Sequence, residues 1–288
     1  MGFCDLHTHS KFSDGTDSPK EIIELAEKLS LSAVALTDHN TVSGLAEFLR
    51  EAEGKQVNAV AGIEISTDYG KTELHIVGLF IDEAQFDKVE GFVHPMVQRK
   101  EDNNRLVIEK LRAGGYDISF EEIKAKTPDG RFNRAHIATE LTAKGYTTSI
   151  GDAFATLLAK DSPYYVANER IPTFEAIEFL NSVGAVAVLA HPFLDLKEEQ
   201  LRVFLPEAKK HGLDAMECHY SKFDSEQTEK AIALCDEFGL AKSGGTDYHG
   251  TRKADISLGI GKGELKIDNE IFEALYAIKQ QKVSKNHE

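Results

Sequence analysis

The sequence has few cysteines, no long apolar run and fewer basic than acidic residues. Its three cysteines, Cys4, Cys218 and Cys235, are odd in number and lack the CxxC spacing of a thiolate metal site or a redox pair, so we interpret them as small buried residues. No window approaches the roughly 18 apolar residues of a membrane-spanning helix. No basic segment followed by an apolar run stands at the start of the sequence. We therefore expect no membrane insertion, no signal peptide and a cytoplasmic protein.

Lysines and arginines number 33, against 48 aspartates and glutamates, so the formal net charge is −15. A protein that wraps a long nucleic acid needs a basic surface, and this class is therefore disfavoured. A small phosphorylated substrate is still compatible, because bound cations or a few arginines can reverse the local charge. The acidic excess lies outside residues 84–172, which hold 13 basic and 13 acidic residues. This contrast indicates a domain boundary.

The 288 residues suffice for one large domain, with or without an insertion. Short apolar runs alternate with segments of helical period, which is typical of a parallel sheet with crossover helices. Seven runs are predicted as strands: 3–8, 33–37, 59–66, 74–81, 185–190, 214–218 and 241–246. Ser18 is expected to cap a helix that starts at Pro19. Further helices fit 41–52, 173–183, 198–211, 225–238 and 269–281.

The segment 84–172 interrupts this alternation. It predicts four helices, at 86–113, 119–126, 134–144 and 150–159, and one extended stretch, "PYYV" at 163–166. We interpret it as a helical insertion between the fourth and fifth strands. The predicted domains are thus 1–83 with 173–283, and the insertion 84–172.

Most residues that could do chemistry stand at the carboxyl ends of the predicted strands. His7 and His9 close the first strand, two positions apart and therefore on one face. The others near strand ends or in the first loop are Asp14, Asp38, His39, Glu64, His191, Asp247 and His249, while His75 stands near the start of its run. In a parallel β/α barrel, the loops at these ends converge on one cavity.

Isolated histidines are more often surface or packing residues, and we interpret His94, His211 and His287 in this way. His219 follows a strand and is a weaker candidate for the cavity. Asp38 and Asp5 are interpreted as residues that orient ligands. Imidazoles and carboxylates without a thiolate suit divalent cations. Nine ligands exceed the need of one ion and suffice for two or three, and metals about 3.5–4 Å apart can share a hydroxide nucleophile.

Six ordered motifs resemble those of the polymerase and histidinol phosphatase (PHP) superfamily: "DLHTHSKFSDG", "ALTDHNTVSGL", "AGIEIS", "ELHIVGLFI", "LAHPF" and "GGTDYHG". More closely, the chain resembles the stand-alone bacterial PHP phosphoesterases that act on nucleotides. The resemblance covers about residues 3–260. It implies an α/β fold, a distorted seven-stranded (β/α)7 barrel with a helical insertion as a cap.

The resemblance also implies a trinuclear site that binds manganese, iron or zinc. The first metal would be held by His7, His9, Glu64 and Asp247, the second by Glu64, His75 and His191, and the third by Asp14, His39 and His249. Every expected ligand is present. His191 and His249 are also candidates for protonating the leaving oxygen, although a metal ligand is poorly placed for that role.

In the nucleotide-acting members the cap carries a motif similar to "FNRAHIA" at 132–138, although Ala135 replaces the usual proline. The resemblance implies that Arg134 and His136 contact a substrate phosphate, and an arginine fork matches phosphate geometry. The alternative is an ordinary solvated helix start. Weaker candidates near the same mouth are Lys160, Tyr164 and Arg170, and the remaining substrate candidate is His219.

The leading hypothesis is a metal-dependent phosphoesterase in which a hydroxide bridging two metals attacks phosphorus in line, with Arg134 stabilising the developing charge. Its substrates would be 3′,5′-bisphosphonucleosides, converted to nucleoside 5′-monophosphates, or short oligonucleotides trimmed from the 5′ end. One alternative is a histidinol-phosphate-type phosphomonoesterase. Another is a metal-binding module without turnover, against which the complete ligand set counts. The sequence leaves the oligomeric state open.

Overall fold

Strands and helices alternate along most of the chain, as the sequence predicts. The computed structural model describes residues 2–126, 133–167 and 169–285. The chain divides into two compact units, Met1–Val93 with Ile171–Glu288 and His94–Arg170. The predicted domain boundaries, at 83/84 and 172/173, remain a prediction about domain organisation. In the described part of the chain, no helix is long and apolar enough to cross a membrane.

The strands, in chain order, are β1 Phe3–Asp5, β2 Ala33–Leu36, β3 Asn58–Tyr69, β4 Thr72–Leu79, β5 Ile171–Pro172, β6 Val186–Leu189, β7 Ala215–Tyr220, β8 Ala241–Gly245 and β9 Ile267–Asp268. The helices are α1 Pro19–Lys28, α2 Leu45–Ala52, α3 Phe86–Ala113, α4 Phe120–Ala125, α5 Arg134–Ala143, α6 Ile150–Ala155, α7 Thr173–Ser182, α8 Pro192–Asp195, α9 Glu198–Lys210, α10 Ser225–Phe238 and α11 Asn269–Lys285. Short 3-10 helices cover Glu83–Gln85 and Gly250–Lys253.

Among the described residues, the sheet order is β8-β7-β6-β4-β3-β2-β1-β9, with β5 paired to β3. β8 also approaches the residues that follow β1: Leu6 N donates to Gly244 O (3.2 Å), and Asp247 N donates to His7 O (2.9 Å). The sheet is therefore nearly closed, and the predicted α/β barrel is confirmed at this level. Each of the seven predicted runs overlaps one strand, whereas β5 and β9, of two residues each, were not predicted.

The fourth strand departs from the predicted parallel pattern. β4 runs antiparallel to both β3 and β6, because only Gly70 and Lys71 separate it from β3 and a connection this short can join only antiparallel strands. Gly70 has φ 64°, which the tight turn requires and glycine adopts without steric cost. The start of β4 consequently lies at the same end of the barrel as the carboxyl ends of the parallel strands. This places His75 there.

The barrel core consists of small and medium apolar side chains that point inward from neighbouring strands. It includes Cys4, Leu6, Ala33, Ala35, Val60, Val77, Leu79, Val186, Val188 and Ala215. The prediction that the cysteines are buried is confirmed for all three. At the start of α1, Ser18 Oγ accepts from Glu21 N (3.2 Å) and Glu21 Oε2 accepts from Ser18 N (2.7 Å), which confirms the predicted cap.

The unit His94–Arg170 is helical in the residues described. Its own core joins α3 through Val107 and Leu111, α4 through Ile123, and α5 through Ile137 and Leu141. The predicted extended stretch 163–166 is wrong, since these residues form a turn and an irregular segment without strand pairing. Tyr165 N instead donates to Ser162 O (3.0 Å).

Gly245 of β8 lies against His7, which follows β1, and an added Cβ would lie 2.2 Å from His7 Cβ and 2.5 Å from His7 N. We expect Gly245→Ala to lower the free energy of unfolding by about 1–3 kcal/mol, because backbone must shift to admit the methyl group. Urea unfolding measures the change. Gly91→Ala on α3 is the control, because among the described residues nothing outside its chain neighbours and the backbone of its own helix lies within 4 Å of its added Cβ. It should raise stability by up to about 1 kcal/mol. Equal stability of the two variants would contradict the steric argument.

Candidate metal centre

His7 and His9 follow β1 and are completely buried. Their Nε2 atoms lie 3.0 Å apart. They are brought onto one face by the alternation of extended backbone, as their spacing predicts. Two nitrogens this close, with a carboxylate beside both, are suited to sharing a cation.

Glu64 of β3 is completely buried and occupies the middle of the cluster. Its Oε2 contacts three imidazoles: His7 Nε2 at 3.2 Å, His9 Nε2 at 3.2 Å and His39 Nδ1 at 3.1 Å. Its Oε1 contacts two more: His75 Nδ1 at 2.9 Å and His191 Nε2 at 3.1 Å. One carboxylate therefore contacts five histidines from four separate segments, and each of its oxygens contacts a different group of them.

The other two carboxylates complete the surroundings of the histidines. Asp247 Oδ1 lies 3.3 Å from His9 Nε2 and 3.9 Å from His7 Nε2. Asp14 Oδ1 lies 3.1 Å from His249 Nε2. The side chains that could hold an ion form three overlapping sets: His9, Asp14, His39 and His249; His7, His9 and Glu64; His39, Glu64 and His75. The structure thus brings all nine predicted ligands together, and their division among metals stays a prediction.

Orphaned polar atoms test whether this donor set fits a metal. Within the described ranges, four buried atoms of the cluster lack a hydrogen bond of normal geometry: Asp14 Oδ1, His39 Nδ1, Glu64 Oε2 and His191 Nδ1. A buried polar atom without a partner costs about 1–3 kcal/mol. The atoms of Asp14, His39 and Glu64 lie within the cluster and are accounted for by cations that they would ligate, whereas His191 Nδ1 lies near Asp195 Oδ2 (3.6 Å). The residues present therefore fit a divalent metal centre.

The proton affinities in the metal-free cluster follow from burial and from the carboxylates. Burial lowers the pKa of His39 to about 3. Burial also opposes protonation of His9, yet its contacts with Asp247 and Glu64 raise the pKa to about 9. For His75, burial again opposes protonation, but the contacts with Glu64 and Glu73 together raise the pKa to about 10. In the metal-free protein, protons on histidines such as His9 and His75 therefore compensate part of the negative charge of the buried carboxylates.

Asp5 and Asp38 accept hydrogen bonds from the segments that carry the predicted ligands, and their role in orienting those ligands stays a prediction. Asp5 accepts from Thr246 N (2.9 Å) and Gly259 N (2.9 Å), which ties β1 to the segment leading to Asp247. Asp38 accepts from Ser10 N (2.8 Å) and from the hydroxyls of Ser10 and Ser13, which fixes the loop before Asp14.

Four residues near the centre were not singled out from the sequence: Glu217, Tyr220, Lys222 and Lys253. Tyr220 donates to Asp247 Oδ2 (2.8 Å), and Lys253 Nζ donates to the same atom (2.7 Å). Lys222 and Lys253 line a cavity of about 330 Å³ together with Glu64, His75 and Asp247. No spacing or motif signals these residues, because the contacts join positions from separate strands and loops.

The predicted substrate contacts are divided between the helical unit and β7. Arg134, His136, Lys160, Tyr164 and Arg170 belong to the helical unit. His219 lies on β7 with its Cβ beside Gly244 and is not among the side chains that line the cavity.

The isolated histidines agree with the surface interpretation where they are described. His94 is exposed, and His211 stacks on Phe174 with its Nδ1 2.6 Å from Glu178 Oε1. His287 lies outside the described residues.

Metal binding should release protons. At about neutral pH, His9 and His75 of the metal-free protein carry protons, since pKa values of about 9 and about 10 lie above the solution pH. Ligation requires neutral imidazoles. We expect manganese titrations by calorimetry to give heats that depend on the ionisation enthalpy of the buffer and correspond to more than one proton released per chain. The number should fall as the pH approaches 10. Heats independent of buffer would contradict this prediction.

Comparisons with known proteins agree with this geometry. The PHP domain family matches residues 5–166. A 5′-3′ exoribonuclease from Haemophilus influenzae is 30% identical over 246 residues, which cover 85% of this chain and 89% of that protein. A 3′,5′-nucleoside bisphosphate phosphatase from Chromobacterium violaceum is 29% identical over 252 residues, which cover 86% and 88%.

A solved structure from Bifidobacterium adolescentis, described as a candidate metal-dependent phosphoesterase, superposes with a TM-score of 0.75 and 26% identity over 96% of each chain. The family matches over half of the chain, and the relatives extend over most of it. The predicted superfamily and the predicted class of enzyme are confirmed. The chain belongs to the PHP domain family and is an enzyme of its phosphoesterase class.

Proposed function

We propose that the chain is a metal-dependent phosphoesterase for small nucleotide substrates. It removes the 3′-phosphate from 3′,5′-bisphosphonucleosides or trims short oligonucleotides from the 5′ end. The observation that carries the proposal is the set of imidazoles and carboxylates gathered around the buried Glu64. The names of the two relatives, an exoribonuclease and a bisphosphate phosphatase, support the substrate class.

The nine predicted ligands would hold two or three divalent ions, manganese, iron or zinc. When bound, such ions activate a water nucleophile and neutralise charge on the phosphoryl oxygens. The chain itself supplies ligands of fixed orientation. Asp247 illustrates this, because Tyr220 and Lys253 hold its Oδ2 while Oδ1 faces His7 and His9.

The cavity beside the cluster suits a small phosphorylated group. Its volume of about 330 Å³ is at the lower end of ligand pockets. Lys222 and Lys253 add positive charge to a wall that otherwise carries carboxylates and imidazoles. Because Lys253 is already paired with Asp247 Oδ2 (2.7 Å), Lys222 and the cations that the centre would hold are the charges that would attract a phosphate despite the net charge of −15.

Of the two candidates for protonating the leaving oxygen, His191 is the better placed. Both ring nitrogens of His249 face oxygen atoms, Asp247 O at 2.8 Å and Asp14 Oδ1 at 3.1 Å. His191 directs Nε2 to Glu64 Oε1 (3.1 Å), but its Nδ1 lies 3.6 Å from Asp195 Oδ2, which is longer than a hydrogen bond, so this nitrogen is less engaged than either nitrogen of His249. A proton on this Nδ1 would be stabilised by the neighbouring carboxylate.

The helical unit is proposed as the cap that recognises the rest of the substrate. Arg134 begins α5, and its guanidinium lies over the Tyr165 ring, 4.7 Å from the centroid, and donates to Val166 O. His136 has a structural role as well, since its Nδ1 accepts from Asn133 N (3.2 Å) in the helix cap. Arg134 is therefore our preferred phosphate contact, and His136, Lys160, Tyr164 and Arg170 are secondary.

A panel of phosphate esters tests the substrate class. With manganese added, we expect phosphate release from 3′,5′-bisphosphonucleosides, or shortening of oligoribonucleotides from the 5′ end. Glu64→Gln should lose metal and at least about a hundredfold in rate, because one neutral amide cannot replace both carboxylate oxygens. Rapid release from histidinol phosphate with none from any nucleotide would overturn the proposed substrates in favour of the phosphomonoesterase alternative.

Arg134→Ala and Arg134→Lys test the cap. We expect kcat/KM for nucleotides to fall roughly tenfold to a hundredfold in both variants, because lysine keeps the charge but not the two-pronged geometry. Metal content should stay unchanged. Arg112→Ala, an exposed arginine of α3 in the same unit, is the control and should behave like the parent protein. Unaltered kinetics of both Arg134 variants would remove this residue from the site.

A further inference from the structure

One buried carboxylate beside the centre is neither a predicted ligand nor a predicted substrate contact. Glu217 lies on β7 and is 1% exposed. Its Oε1 is 2.8 Å from His7 Nδ1, and its Oε2 accepts from the main-chain N–H of His191 (2.6 Å). Each oxygen thus contacts a different predicted ligand, one on β1 and one after β6.

The contact with His7 selects which ring nitrogen is free to bind a cation. A carboxylate oxygen accepts hydrogen bonds, so this contact favours the form of His7 that carries a hydrogen on Nδ1. The other nitrogen, Nε2, then faces Glu64 Oε2 (3.2 Å) and His9 Nε2 (3.0 Å). Outer carboxylates of this kind fix both the tautomer and the ring orientation of a ligating histidine.

The contact with His191 supports an unfavourable backbone conformation. His191 has φ 28° and ψ 54°, in the left-handed region that is unfavourable for residues other than glycine. This conformation directs the ring so that Nε2 lies 3.1 Å from Glu64 Oε1. Glu217 offsets the cost by accepting the N–H that the turn exposes.

A bulge in β7 makes this placement compatible with that of Tyr220. The register between β7 and β8 shifts between Glu217 and His219. In a regular strand, positions three apart face opposite sides, yet here Glu217 and Tyr220 both reach the centre, the latter through its bond to Asp247. Cys218 faces away, with its Sγ 3.4 Å from Cys235 Sγ.

We propose that Glu217 is a positioning residue of the metal centre. It fixes the Nε2-facing tautomer of His7 and the turn at His191, and thereby sets how tightly the centre binds its ions without contacting them. The inference rests on the proposed metal centre.

Glu217→Gln tests the role with nearly unchanged volume. An amide offers one acceptor where the carboxylate offers two, so either His7 or His191 loses its partner. We expect the affinity for manganese to fall about tenfold to a hundredfold, measured by chelator competition on the metal-free full chain. Saturating manganese should restore most of kcat, which shifts the metal dependence rather than the maximal rate. Glu229→Gln makes the same chemical change on the exposed face of α10 and should leave affinity unchanged. Unchanged affinity in Glu217→Gln would overturn the proposal.

A measurement on the parent protein covers the case in which the variant fails to fold. In the zinc-loaded protein, proton–nitrogen NMR of the imidazoles should show His7 with hydrogen on Nδ1 and metal on Nε2. Hydrogen on Nε2 would overturn the proposal.

The two hypotheses fail separately. Metal binding that responds to Glu217→Gln, in a protein that hydrolyses no phosphate ester, would remove the proposed function and leave Glu217 in place. Full hydrolysis with metal binding that does not respond to Glu217→Gln would keep the proposed function and remove the role of Glu217.

Discussion

The barrel end is organised around the buried charge of Glu64. Burial would raise the pKa of this carboxyl, but the surrounding imidazoles, His39 first, hold it well below its usual range. A buried carboxylate is tolerated only where positive charge compensates it. Protonated histidines can supply that positive charge. When metal ions are bound, the ions would supply it instead, and the histidines would be neutral ligands. The same contacts therefore serve the apo fold and the proposed loaded site.

The topology of the sheet determines which histidines can reach this carboxylate. Parallel strands deliver His7 and His191 from their carboxyl ends. β4 is antiparallel and delivers His75 from its amino end, opposite Ser66 of β3. The tight turn at Gly70 therefore determines the position of His75, although this turn lies outside the motifs that contain the predicted ligands.

Three further buried carboxylates hold the segments that carry the predicted ligands. Asp38 fixes the loop that carries Asp14, Asp5 ties β1 to the segment of Asp247, and Glu217 joins His7 to His191. Each accepts main-chain N–H groups, so ligand positions depend on backbone geometry rather than on flexible side chains. Since metal geometry tolerates small errors only, this rigidity is what the centre needs.

The sequence by itself determined the alternation of strands and helices, the cap at Ser18, the nine candidate ligands and the family. These follow from local periodicity and from motifs in a fixed order, and both can be recognised in the sequence without knowledge of the fold. Tertiary structure decided the direction of β4, the bulge in β7 and the placement of Glu217, Tyr220 and Lys253. The prediction of an extended stretch at 163–166 was wrong, because these residues pair with no strand in the described part of the chain. Contacts between residues far apart in the chain leave no local pattern, since they depend on how strands pair, and only the folded sheet fixes that pairing.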